Sequence, residues 1–198
     1  MRDHRRSPAG FTLIELLIVI SILFVLAGLV LPNSSPTLHD QLQSTAQILA
    51  ADLGYGRSLA VMNSSSYQIE FDLAGNRYSL RHSGANAALS SLPNFPFTSP
   101  QDTATKHVVA LDDLPHLGPP ARLAAVASLG SALQAVGDLE FGPLGGTTRS
   151  GYTLVWLSAG EGSAKRYISL SVNPITGLTT IGPYTGTGPP ASVVPATP

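Results

Sequence analysis

A single carboxylate, Glu15, stands inside the otherwise uncharged run Phe11–Leu31, FTLIELLIVISILFVLAGLVL. In an apolar helix such a group costs several kcal/mol unless it is neutralised or paired, so it demands a partner. Directly upstream, a short segment carrying Arg2, Arg5 and Arg6 ends at Gly10, and Phe11 opens the apolar run. If a peptidase cuts after Gly10, Phe11 gains a free α-amino group, a cation at the depth of Glu15. In a helical assembly, that amine on one subunit can pair with Glu15 of another. The costly charge then becomes a device that sets the stagger of the helices. An uncut chain offers no such amine.

The remaining chemistry-bearing residues form weaker patterns. His107, Asp112, Asp113 and His116 make the one His/carboxylate cluster, but the spacing is not that of a zinc helix and Pro115 interrupts it. It reads as a strand end followed by a solvated acidic loop. Asp112-Asp113 alone supplies too few oxygens for calcium, which takes six or more. Gly145-Gly146-Thr147-Thr148 lacks the lysine of a phosphate-binding loop and reads as a turn. With no nucleophile elbow, no paired-carboxylate motif and no cysteine, neither an enzyme nor a metal or other cofactor is expected.

The elements that must position Glu15 begin with the apolar run itself. Its 21 residues would span about 31 Å as a helix, close to the thickness of a bilayer's hydrocarbon core. The arginines upstream place that end in the cytoplasm and the bulk of the chain outside. Three readings fit this segment: a plain single-pass anchor, a secretory signal cut after Ala27, or a short leader cut at Gly10-Phe11. Glu15 favours the third, because only there does it acquire a partner.

Pro32 ends the run and Pro36 follows after Asn33-Ser34-Ser35, which predicts a hinge over 32–36. Ser35 is placed to cap a new helix with Pro36 at its first position. From there to about Met62, Leu38, Leu42, Ala46, Leu49, Leu53 and Ala60 form one apolar stripe, with Gly54 and Gly56 weakening the helix. Beyond it, Ser66–Asp72 and Arg77–Arg81 read as a hairpin around Leu73-Ala74-Gly75-Asn76. Further strands are expected at Lys106–Leu111, Asp138–Phe141, Gly151–Leu157, Arg166–Val172 and Leu178–Ile181, the last two joined by Asn173–Gly177. Ala121–Val136 is ambiguous, its Ala and Leu content suiting a short helix that Gly130 interrupts. Thr185–Pro198 carries no charge and reads as a disordered tail. The fold class is α+β: a long hydrophobic amino-terminal helix, then an amphipathic helix packed on an antiparallel sheet.

At Ala9-Gly10-Phe11-Thr12-Leu13-Ile14-Glu15-Leu16-Leu17 the chain resembles the class III leader of type IV pilins and type II secretion pseudopilins. That resemblance implies cleavage between Gly10 and Phe11 by prepilin peptidase, methylation of the Phe11 amine, and assembly through Glu15 and its neighbour Thr12. The implied partners are the peptidase, other pilin or pseudopilin subunits and the inner membrane. The implied organisation is a leader at 1–10, an assembly helix at 11–31, a hinge at 32–36, a pilin-like head at 37–184 and a tail at 185–198. The head is similar to the GspH/FimT-like minor pseudopilins at Leu53–Ala60, Tyr67–Asp72, Leu139–Gly146 and Ile168–Gly177, with Gly84–Gly137 as an insertion.

Some FimT-like proteins bind DNA through a basic carboxyl-terminal region. In this chain Lys165-Arg166 are followed only by uncharged residues. Without the first ten residues it carries 8 basic and 11 acidic groups, a balance of −3, so nucleic acid is not an expected partner. Two alternatives stay open on sequence grounds: a DNA-binding minor pilin, and a secreted or anchored domain whose amino terminus only targets it.

Overall fold

The computed structural model describes residues 11–30, 37–93, 99–114 and 121–194, with the backbone alone for 27–30. The leader, the Pro32–Pro36 hinge and His116 lie outside the described residues. The chain divides into two compact units, Met1–Ser35 and Pro36–Pro198.

In the first unit, helix α1 runs Leu13–Val30, 18 residues or about 27 Å. Among the described residues no helix is long and apolar enough to cross a membrane. Every side chain described from Phe11 to Leu26 is exposed, and Ser21 returns its hydroxyl to the Leu17 carbonyl at 2.8 Å.

The second unit, the head, is built on helix α2, Leu38–Met62. Its cap is Thr37 and not Ser35, because Thr37-Leu38-His39-Asp40 forms a reciprocal capping box. The Asp40 N–H donates to Thr37 Oγ1 at 3.2 Å, and the Thr37 N–H donates back to the Asp40 carboxylate at 3.2 Å. The expected stripe is the buried face: Leu42, Ala46, Leu49, Leu53 and Ala60 are sealed from solvent, with Leu38 half-buried.

Among the described residues, nine strands make two antiparallel sheets where the sequence suggested one. Sheet A has the order β3-β2-β1-β6, from β1 (Tyr67–Asp72), β2 (Arg77–His82), β3 (Lys106–Ala110) and β6 (Asp138–Phe141). Sheet B has the order β5-β4-β7-β8-β9, from β4 (Arg122–Leu129), β5 (Leu133–Ala135), β7 (Tyr152–Ala159), β8 (Arg166–Val172) and β9 (Thr179–Ile181). Both sheets turn alternate residues onto α2, so that Tyr67, Ile69, Phe141, Val155, Leu157, Ile168 and Leu170 share one core with its apolar face.

Two further sequence expectations change. The ambiguous 121–136 stretch is strand, with β4 and β5 paired as a hairpin around Gly130. The expected disordered tail is packed as far as Val193: Thr185 bridges to Tyr167 of β8, and a 3-10 turn at Ala191–Val193 buries Val193 against Ala125, Ala127, Leu133 and Trp156. That strap closes a second, smaller core on the face of sheet B turned away from α2.

Asn76 ties the two sheets together. In the β1–β2 turn it takes φ +47°, a left-handed conformation that asparagine tolerates. Its Nδ2 donates to Asp112 Oδ1 at 2.6 Å and to the Ala121 carbonyl at 3.0 Å, while its Oδ1 accepts the Leu123 N–H at 2.9 Å. One buried amide thus joins the tight turn of sheet A to the entry of β4.

Candidate processing and assembly site

Phe11 and Thr12 precede α1, and Thr12 is its cap. Thr12 Oγ1 accepts the Glu15 N–H at 3.3 Å, and the Thr12 carbonyl accepts from Glu15 and Leu16 at 3.1 and 3.2 Å. Thr12-x-x-Glu15 repeats the pattern of Thr37-x-x-Asp40 with one difference. Asp40 folds back onto its own cap, where the Thr37 hydroxyl lies 2.7 Å away, and those bonds lower its pKa. Among the described residues no hydrogen bond engages the Glu15 carboxylate. The first turn of α1 therefore presents an exposed, unengaged acid four residues from Phe11, at the helix end whose dipole favours a negative charge. Phe11 is 80% exposed. Thr12, expected only as a neighbour in assembly, has the further local task of fixing where the helix, and hence Glu15, begins.

Elsewhere the residue types that could do chemistry are dispersed. His107 Nδ1 lies 3.1 Å from Asp102, Asp112 is engaged by Asn76, and Asp113 is exposed on its loop. Among the described residues no group of three or more His, Asp or Glu could hold a metal ion. A half-buried pair that no sequence motif marked joins α2 to sheet A: Tyr78 donates its hydroxyl to Asp52 at 2.5 Å. Burial pushes the Asp52 carboxyl above its ordinary value, and burial together with the Asp52 charge pushes the Tyr78 hydroxyl well up. This pair links helix to sheet.

The outer face of sheet A is a ladder of paired charges. Arg77 meets Asp72 at 2.9 Å, Arg81 meets Glu70 at 2.9 Å, Lys106 reaches Glu70 at 3.4 Å, and Arg149 pairs with Asp138. The Gly75 N–H and Arg77 hold Asp72 below its ordinary pKa. At Asp138 burial works upward, but hydrogen bonds from Arg149 and Gln68 outweigh it and the net direction is down. A cleft of about 410 Å³ lies along this face, lined by Glu70, Asp72, Arg77, Gln101 and Lys106 among others. A phosphate entering it would compete with carboxylates already bound to its cations.

The prokaryotic N-terminal methylation motif matches residues 5–31, the span that contains Gly10, Phe11, Thr12 and Glu15. The amino terminus is of the type IV prepilin kind. The chain is similar to solved structures of the type IV minor pilin FimU from Pseudomonas aeruginosa strain PAO1. In one crystal form the identity is 23%, covering 72% of this chain and 93% of the other, with a TM-score of 0.40. In a second form it is 24%, covering 78% and 96%, with a TM-score of 0.41. Among curated proteins none matches the sequence.

Proposed function

We propose that the chain is a structural, non-enzymatic minor subunit of a type IV pilus-like or type II secretion filament. Prepilin peptidase cuts between Gly10 and Phe11, the Phe11 amine is methylated, and α1 joins a bundle of like helices. Before assembly that helix holds the subunit in the inner membrane with the head outside. The observation that carries this reading is the match of 5–31 to the methylation motif, whose acid stands unengaged in the first turn of α1.

The chemistry follows from that placement. Cleavage creates a cation next to Thr12, and docking lets Glu15 of one subunit meet the amine of another. Coulombic attraction between unit charges rises as the medium's polarity falls, so the pair strengthens as water leaves the bundle. Thr12 holds the helix start in register for this contact. The apolar side chains exposed along α1 supply the remaining surface to be buried.

Amino-terminal sequencing and intact mass of the protein from its native membrane test the processing step. A mature chain beginning at methylated Phe11 is expected; a start at Gly28 or an uncut Met1 would overturn the reading. Glu15→Ala is expected to insert and to be cleaved normally, yet to drop out of sheared filaments by about tenfold or more, the loss of one buried charge pair. Normal incorporation of that variant would remove Glu15 from assembly.

A further inference from the structure

At the end of sheet B beside the first residue of α2, strand pairing sets three side chains in one row. Arg122 of β4 stands opposite Ser158 of β7, and Ser158 stands opposite Tyr167 of β8. Directly paired residues of antiparallel strands share a face, with Cβ atoms about 5 Å apart. Lys165, one residue before β8, holds its ammonium over the Tyr167 ring, 5.7 Å from the centroid. Ser158 is thus flanked by Arg122 on one strand and, on the other, by an aromatic ring carrying a second cation.

A cleft of about 560 Å³ opens here, lined by Leu38, Arg122, Ser158, Ala159, Glu161 and Lys165 among others. Ser158 is only 3% exposed, yet among the described residues no hydrogen bond engages its hydroxyl. Nor does an ion pair engage Arg122 or Lys165 there, whereas Arg77, Arg81, Lys106 and Arg149 of the opposite sheet all have carboxylates. A guanidinium fork beside a hydroxyl is the donor set of a carboxylate site. Glu161 shares the rim, so two cations stand against one acid. That balance matches a single negative charge and disfavours a phosphate dianion. The acidic balance of the whole chain tells against polyanions, which need many contacts at once, but not against one carboxylate. The rest of the wall is apolar. A Cβ on Gly160 would lie 3.0 Å from Leu38 Cδ1, and Gly160 takes φ +81°, so glycine lets the β7–β8 connection close onto α2 at this point. Leu38 and Ala159 therefore offer a surface to methylenes that carry the acid.

We infer that this cleft accepts the carboxylate of an acidic side chain, aspartate or glutamate, presented by a partner protein. Arg122 and Ser158 donate to the carboxylate, and Lys165 adds the second positive charge. The contact uses no residue of the amino-terminal motif, so it stands or falls apart from the filament reading.

The test is a titration of the isotope-labelled full chain, in nonionic micelles at constant ionic strength, followed by the Gly160 and Gly162 amide resonances. N-acetylglutamate N-methylamide should shift them saturably, and the uncharged glutamine analogue should not. Acetate, without the methylenes that pack on Leu38 and Ala159, should bind about fivefold more weakly. Arg122→Gln should weaken the capped glutamate about tenfold, whereas Glu161→Gln should strengthen it about threefold. Both side chains are exposed and unengaged among the described residues, so thermal unfolding should not move. The absence of a saturable shift, or a shift indifferent to Arg122→Gln, would overturn the assignment. Inorganic phosphate binding more tightly than the capped glutamate, or acetate binding as tightly, would also sink it: the cleft would then serve a free anion and not a protein side chain.

Discussion

Asp52 and Tyr78 show how one residue can work against the fold at one pH and with it at another. Asp52 lies on α2 between Leu49 and Leu53, and its partner arrives from β2, 26 residues along the chain. Burial raises the pKa of Asp52 in the folded state, with the Tyr78 hydrogen bond and the His107 charge pulling partly back. A raised carboxyl pKa means that the folded state prefers the protonated acid. The associated stability is present below the ordinary value of 3.8 and is lost as pH rises through the folded pKa. At neutral pH the charge is a burden. Asp52→Asn, which still accepts from Tyr78, is expected to unfold at higher urea than the native chain at pH 7. The gap should narrow as pH falls toward 4. The lowered carboxyls, Asp72 and Asp138, have the opposite dependence, their stability being lost on acidification, but they are common to both proteins and cancel in the difference. A gap that widens on acidification would contradict this account.

At the scale of elements, α2 owes its contact with sheet A to one of its two glycines. A Cβ at Gly56 would lie 3.2 Å from Leu80 Cδ1 and 3.3 Å from Ile69 Cδ1, whereas at Gly54 nothing stands within 4 Å. Gly54→Ala should therefore recover the propensity difference of about 1 kcal/mol. Gly56→Ala gains the same term but must move two core side chains, a crowding cost of about 1–3 kcal/mol. Thermal unfolding of the two variants should place Gly54→Ala above the native chain and Gly56→Ala at or below it. Both glycines read alike in the sequence, because helical periodicity gives the face but not the distance to what packs on it. The strands are more legible in the sequence. β1, β2, β6 and β8 alternate apolar and polar residues and are bounded by turn residues, and their pairing is close to what that alternation requires. β4 escaped because Arg122–Leu129 is rich in alanine, a strong helix former, and the tertiary reason for small side chains there cannot be seen locally. The cap of α2 escaped for a related reason: Ser35-Pro36 and Thr37-x-x-Asp40 are both start signals, and the reciprocal box won.

The alanines of β4 make sense only at the scale of the whole head, where they lie beneath the strap. From Tyr167 the segment 185–194 crosses the outer face of sheet B, and Val193 is sealed against Ala125, Ala127, Leu133 and Trp156. Both alanines share a small buried cluster with Val193. Composition pointed the other way, since a stretch rich in Gly, Pro, Thr and Ala with no charge has neither periodicity nor a hydrophobic run by which to recognise a packed segment. Its anchorage is a two-bond bridge, Tyr167 to Thr185 at 2.8 and 2.9 Å, and one buried valine. Trp156 is the single tryptophan of the chain, so its emission reports this core alone. Deleting 186–198 should shift that emission to longer wavelength and lower stability by about 2–4 kcal/mol, the range for losing a well-packed aliphatic anchor. Val193→Ala should do the same to a smaller degree while Thr185 stays bridged. A disordered tail would leave both emission and unfolding midpoint where they are. Because α2 and both sheets keep their shared core without the strap, far-ultraviolet dichroism should change little in either variant, which separates undocking of the strap from collapse of the head.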